Sequence, residues 1–225
     1  MSDTAYAHYL RDEWQLFVQH PDRAELAGAI ATHIRDIQRV LDIGCGAGQE
    51  LLPYLGRAVC VGLDLNAESP PIARERLRSV DAGARVILGC ARAEALPLRD
   101  GQFDLVIARL VLPYTHIASA LAEVARVLRT GGGFSVQIHS PRYYLRKLWR
   151  AATTGDATWR RHALRVLRVG LVLHLAGEQR EVEETHESFL TRSRLQHMAA
   201  QVHLEFVTQF ENANPYAPHL LFRRV

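Results

Sequence analysis

The chain has 225 residues, 48% hydrophobic and 23% charged, with a formal net charge of +3. That length suits one domain with a sizeable core, and the composition excludes a disordered chain. Three cysteines are too few for a disulfide scaffold, and no run reaches the roughly 18 apolar residues of a membrane span.

The opening residues, MSDTAYAHYL, carry neither the basic stretch nor the apolar run of a secretory signal, so a cytoplasmic location is the default expectation. Tyr6, Tyr9, Leu10, Trp14 and Phe17 recur at helical spacing. Pro21 suits the first turn of a second helix, with Asp22 and Glu25 near its positive end and Leu26, Ile30 and Ile34 along its apolar face. The period changes at Arg39: Arg39 to Ile43 is a short apolar run ending in glycines, which reads as a buried strand. Ala58 to Leu63, Arg85 to Leu88, Phe103 to Ile107 and Gly133 to His139 are four more buried runs with helical patterns between them. In the last of those helices Ile117, Leu121, Val124, Ala125 and Leu128 recur at three and four residues, and Gly131 to Gly133 are expected to stop it. A basic helical segment follows to about Ala176, then a helix from Arg192 to Gln201 and strands from Leu204 to Phe210 and His219 to Arg224.

Alternating strand and helix imply right-handed crossovers and a parallel sheet covered on both faces. The whole chain, 1–225, reads as a single domain: N-terminal helices at 1–36, a core at 37–140, a basic helical cap at 141–178 and a closing helix with two strands at 179–225. Ligands of such sheets bind beyond the carboxyl ends of the strands, where strand order reverses.

The stretch from Val40 to Glu50, VLDIGCGAGQE, is a strand, a glycine turn and a helix start. Gly44, Gly46 and Gly48 permit positive φ and close approach of a ligand to the backbone, and the amides opening the next helix are anion donors. Asp64 closes the next strand, where a carboxylate can accept from both hydroxyls of a ribose. Together these predict a nucleoside-containing ligand, with several cofactors open on chemistry alone. A dinucleotide fingerprint requires glycine where Gln49 stands, which disfavours a nicotinamide-dependent oxidoreductase.

From about Val40 to Phe134 the sequence resembles class I S-adenosylmethionine-dependent methyltransferases of the small type-11 group. The resemblance rests on that glycine stretch with Val61 to Leu65 (VGLDL), Ala93 to Pro97 (AEALP), Gln102 to Val106 (QFDLV) and Glu123 to Gly132 (EVARVLRTGG). It implies an α/β Rossmann-like methyltransferase fold, with a mainly parallel seven-stranded sheet, helices on both faces and a helical insertion after the fifth strand. It also implies S-adenosyl-L-methionine as cofactor. Asp42 and the Gly44 backbone would hold the methionine amino group, and Gly46 and Gly48, with Cys45 in the same loop, would let the cofactor lie against the backbone. Asp64 would take the ribose hydroxyls, Leu65 would pack on the adenine while staying buried as in any such fold, and the Ala93 amide would bond an adenine nitrogen. Ala108 and Arg109 would approach the methionine end. Members of the group usually carry Asp where this chain has Arg92; arginine only donates, so it would stack on the adenine or turn to solvent. The lost hydrogen bond would cost roughly 0.5–1.5 kcal/mol.

Methyl transfer from a sulfonium is a direct displacement that asks the protein for alignment and exclusion of water. An oxygen or nitrogen acceptor adds the need for a general base. The candidates are Tyr114 after the fourth strand and His139, Tyr143 and Tyr144 after the fifth, with His139 equally readable as structural. The His186-Glu187 pair is a weaker candidate, which reads rather as part of a solvated acidic stretch with Glu181, Glu183 and Glu184. The histidines show no metal-ligand spacing, Cys45, Cys60 and Cys90 read as small buried residues, and no nucleophile elbow appears, so no metal and no hydrolase chemistry are expected.

Residues 142–168 hold eight basic side chains and one acid, Asp156, so the excess positive charge sits in the cap. Arg161, Arg165 and Arg168 would form a cationic stripe on a helix with a wide apolar face. A cap packed on the core is one reading; an amphiphilic or anionic acceptor, with 142–176 in peripheral contact with a membrane, is the sharper one. The partner expected is a small-molecule substrate. No nucleic acid is expected, because the cap aromatics follow helix-core spacing and form no stacking platform. A non-catalytic nucleoside-cofactor-binding or regulatory protein of the same fold is the alternative, and the oligomeric state is not legible.

Overall fold

Strands recur from Arg39 as the change of period predicts, but residues 91–102, between the third and fourth of them, form turns and bends and not the expected helix. The computed structural model describes residues 4–18, 22–177, 179, 187–211 and 216–225. Its strands are β1 (Arg39–Ile43), β2 (Val59–Asp64), β3 (Val86–Cys90), β4 (Phe103–Arg109), β5 (Leu128–Gln137), β6 (Leu204–Phe210) and β7 (His219–Arg224). They form one seven-stranded sheet in the order β3-β2-β1-β4-β5-β7-β6. The five strands from β3 to β5 are parallel, and β7 runs antiparallel between β5 and β6, so the sheet is mixed. Only a short connection separates β6 from β7, too little for the crossover that a parallel pair needs. The order reverses between β1 and β4, which opens a crevice beyond their carboxyl ends.

The helices are α1 (Ala5–Val18), α2 (Asp22–His33), α3 (Ser69–Val80), α4 (Ile117–Val127), α5 (Pro141–Thr154), α6 (Ala157–Ala176) and α7 (Arg192–Ala200). Successive strand residues point to opposite faces, so β4 sends Leu105 and Ile107 one way and Val106 and Ala108 the other. Leu10, Trp14, Ile30, Ile34, Leu51 and Leu77 close the first face; Ile117, Leu121, Val124, Leu195 and Met198 close the second. Phe222 sits between Phe134 and Phe206, with ring centroids 6.2 and 5.8 Å away.

Several local expectations change. Helix α4 ends at Val127, before the glycines, because Leu128 is already extended. The glycines lie inside β5, where a Cβ on Gly133 would stand 2.6 Å from Ile34. The third strand is an edge strand that exposes Ile87, not a buried run. Tyr9 is exposed, leaving Leu10 and Trp14 as the buried stripe of α1. Pro21 and the side chains of Phe17 and Asp22 lie outside the described residues.

Helices α5 and α6 follow β5 and pack on one another, joined through Gly155 in the left-handed region and Asp156, whose side chain caps α6 by accepting from the Thr158 and Trp159 amides. Gly170 lets α6 approach the Phe189 ring, where a Cβ would stand 2.3 Å from the ring edge. The expected arginine stripe is broken: Arg165 is partly buried beside His162, while Leu164 and Leu171 are exposed next to Arg161 and Arg168.

Candidate active site

The glycine loop leaves β1 at the point where the strand order reverses. Gly44, Gly46 and Gly48 have φ of 69, 50 and 83°, which only glycine adopts cheaply. A Cβ on Gly44 would stand 2.3 Å from Val111. The Gly44 and Cys45 amides donate to the Leu63 carbonyl at 2.7 and 3.1 Å, which ties the loop to β2. The Asp64 carboxylate completes that tie: one oxygen accepts from the Gly46 amide at 2.9 Å and the other from the Asn66 amide at 2.8 Å. Each oxygen keeps capacity for a further hydrogen bond.

The helix expected after the loop is a 3-10 segment, Gln49–Tyr54, with Pro53 inside it. Proline has no amide to donate, so no α-helix runs on through it. Helix α1 lies across the glycine loop. Leu10 approaches Gly46, Gln49 donates to Glu13 at 3.2 Å, and the Tyr6 and Ser69 hydroxyls are 3.2 Å apart.

Asp42 is 1% exposed behind the loop. Burial, with Asp42 and Asp64 adding to it, raises the Cys45 thiol well above its ordinary range. Leu65 departs from expectation: it is 67% exposed beside Asp64, an apolar side chain with no protein cover. Cys90 is also exposed rather than buried, its thiol donating to the Leu65 carbonyl at 3.6 Å. Arg92 turns outward, 3.7 Å from Glu94, and the turn to buried Ala93 is closed by the Ala95 amide donating to the Arg92 carbonyl at 3.2 Å. Ala108 is buried at the end of β4. Arg109 donates to Gln137 at 2.9 Å and to Glu50 at 3.1 Å, a bridge from β4 to β5 and to the 3-10 segment.

The four proposed reacting residues come together at the same carboxyl edge. Val111, packed on Gly44, is followed by a 3-10 turn, Leu112–Tyr114, which delivers Tyr114. His139 follows the end of β5, and α5 then presents Tyr143 and Tyr144. The His139 and Tyr143 rings stack at 3.9 Å with planes 1° apart, and the Tyr144 ring meets both edge-on. Burial, reinforced by the Lys147 ammonium, lowers the His139 pKa to about 4, so this imidazole stays neutral near pH 7. The Lys147 ammonium sits 3.9 Å over the Trp159 ring and 5.3 Å from Tyr143, clipping α5 to α6.

Glu187 stands at the centre of this cluster, against the expectation of a solvated residue. It is buried, accepts from the Tyr144 hydroxyl at 3.1 Å and lies 3.4 Å from His162 Nε2. Burial raises the Tyr114 and Tyr144 phenols, the Glu187 charge raises them further, and a hydrogen bond to the same carboxylate adds to both, so each phenol stays protonated. The backbone explains the placement: the Ser188 amide donates to the Pro113 carbonyl at 2.9 Å and the Leu190 amide to the His139 carbonyl at 3.1 Å. Residues 187–190 are thereby stitched to the ends of β4 and β5. The sequence signal was an acid inside SFL-type apolar context, Glu187-Ser-Phe-Leu190, masked by the acidic run before it. His186, Glu181, Glu183 and Glu184 lie outside the described residues.

Comparison with known proteins bears on the family and on the fold. Residues 41–136 match the family described as a methyltransferase domain. A fatty-acid O-methyltransferase of Mycolicibacterium smegmatis is 38% identical over 119 residues, 51% of this chain and 42% of that protein. The uncharacterized methyltransferase YcgJ of Bacillus subtilis is 34% identical over 105 residues, 45% of this chain and 40% of that protein. These matches thus span about two fifths of the curated relatives. Among solved structures, magnesium protoporphyrin IX methyltransferase of Synechocystis PCC 6803, with bound SAH, superposes with a TM-score of 0.62 at 13% identity, over 92% of this chain and 84% of that one, a likeness of fold. Over residues 41–136, a little under half of its length, the chain is similar to a methyltransferase domain.

Proposed function

We propose that the chain transfers a methyl group from S-adenosyl-L-methionine to a small amphiphilic acceptor. The observation that carries this reading is the pairing of Asp64 with Leu65. A buried carboxylate already holding the Gly46 amide stands next to a large apolar side chain left 67% exposed, the polar and apolar halves of a nucleoside site. In that site Asp64 would accept from the ribose, Leu65 would cover the adenine, and Asp42 with the Gly44 backbone would hold the amino acid end. Cys45, Gly46 and Gly48 would line the loop; Arg92, Ala93, Ala108 and Arg109 would border it.

S-adenosylmethionine supplies an activated methyl group when bound, so the chain's own residues have to align the acceptor, exclude water and remove a proton. Tyr114, whose phenol the Glu187 charge helps to keep protonated, would accept the acceptor's proton while passing its own toward Glu187. His162, 3.4 Å from Glu187 and partly exposed, would relay that proton to solvent. The stacked His139 and Tyr143 form an apolar wall with a polar rim, and neutral His139 adds no competing charge. A buried carboxylate opposes a second one nearby, so the cluster favours a hydroxyl-bearing amphiphile over a fatty acid anion.

Calorimetry with S-adenosylmethionine, its demethylated product and NAD tests the cofactor. The two sulfur compounds are expected to bind and NAD is not; no uptake of either at about millimolar concentration overturns the reading. Turnover with labelled donor should then favour a long-chain alkylphenol over a fatty acid of equal chain length. Glu187→Gln is expected to lower alkylphenol turnover about 100-fold or more while donor affinity stays within a few-fold. Unchanged turnover would remove Glu187 from the proton path.

A further inference from the structure

The outer side of the α5–α6 hairpin carries large apolar side chains that the fold leaves uncovered. Tyr144 and Ala151 on α5, and Ala163, Val166, Val169 and Leu173 on α6, face inward and are buried. Leu145 and Trp149, one turn apart on α5, are 52% and 70% exposed, and Leu164, Leu171 and Leu175, on one stripe of α6, are 51%, 53% and 79% exposed. Arg142 and Arg150 on α5, and Arg160, Arg161 and Arg168 on α6, are exposed around them. From 142 to 176 the sole acid is Asp156, already engaged as the α6 cap.

We infer that this face is a docking surface for an anionic phospholipid bilayer. Two features together select that occupant. Exposed leucines and a tryptophan on helices that lie flat against the body suit shallow insertion among acyl chains, and arginines beside them suit the headgroup phosphates. A second copy of the chain meeting this face by twofold symmetry would set arginine against arginine with no acid to answer it, which makes self-association unfavourable. Neither helix is long and apolar enough to cross a bilayer, so the hairpin lies on it. The first turn of α5 carries Tyr143 and Tyr144, so the same hairpin would hold the tyrosine cluster close to the bilayer. The docking itself stands or falls independently of methyl transfer.

The test is sedimentation of the full chain with vesicles of phosphatidylcholine mixed with phosphatidylglycerol, against phosphatidylcholine alone, at low and high salt. Binding is expected on the mixed vesicles, at least tenfold weaker on the neutral ones, and weakened by salt. Trp149→Ser combined with Leu175→Ser changes exposed positions only, so circular dichroism should be unaltered while vesicle affinity drops tenfold or more. Arg160→Glu and Arg168→Glu should each lower it by about fivefold or more. Absence of binding to mixed vesicles at low salt overturns the inference. So does binding that ignores both the apolar and the arginine variants. A dimer in sedimentation velocity that the Trp149 and Leu175 changes dissolve would assign the face to a second copy instead.

Discussion

Asp64→Ala is expected to weaken S-adenosylmethionine binding by more than about 100-fold, with a parallel loss of folding stability of about 1–3 kcal/mol. Both effects come from one carboxylate. In the free chain it holds the loop through the Gly46 and Asn66 amides, at 2.9 and 2.8 Å. Removing it leaves the Gly46 amide without its acceptor in a buried turn, which is the stability cost. In the complex the same oxygens would also take the ribose hydroxyls, and hydrogen bonds to a charged group contribute about 1.5–3 kcal/mol each. Asp64→Asn should recover part of the stability, because its amide oxygen can still accept from the Gly46 amide while its NH2 meets the Asn66 amide donor to donor. Donor affinity should not recover. Calorimetry alongside urea unfolding reads both quantities. An Asp64→Ala chain that binds within tenfold of the parent would place the ribose away from this residue.

Lowering the pH from about 7.5 to about 5 should cost the fold about 2 kcal/mol for each of two buried histidines. His139 and His219 are buried, and each has its pKa lowered from 6.5 to about 4. Burial is the larger cause in both; Lys147 adds to it at His139 and Arg109 at His219. His219 Nε2 is also 2.7 Å from the Ser135 hydroxyl. Because the folded values lie below the unfolded ones, the unfolded chain takes up protons first as pH falls. The stabilisation from keeping these rings neutral is therefore complete above the unfolded pKa and is lost progressively between about pH 6.5 and 4. Urea midpoints across that window measure it. His219→Gln, which keeps a polar partner for Ser135, should flatten about half of the slope. Equal slopes in parent and variant would mean that His219 does not titrate between the two states.

The glycine loop shows how much of the site was local. Glycine takes the positive φ at 44, 46 and 48 at the least cost, and the Asp64 carboxylate at the end of β2 accepts from the Gly46 amide, so this half of the crevice is written in two short stretches of chain. The succession of short buried runs likewise implies a largely parallel sheet. Local chemistry failed where a residue's fate depends on what lies beside it. Leu65 is expected to be buried in any such fold, yet it is 67% exposed. Arg85 to Leu88 reads as a buried run, yet β3 is the edge strand of the sheet and Ile87 is exposed. The direction of β7 follows from the short return after β6.

The sequence by itself determined the layered architecture and the glycine loop, because both rest on period and on backbone conformations that few residues allow. Only the tertiary structure decided the cluster around Glu187. Glu187 follows a run of charged residues that masks the apolar Phe189 and Leu190 after it. It reaches Tyr144 and His162 because the Ser188 and Leu190 amides bond to carbonyls at Pro113 and His139, dozens of residues earlier. A buried carboxylate gathers its partners from separate elements, and such a convergence has no period in one dimension.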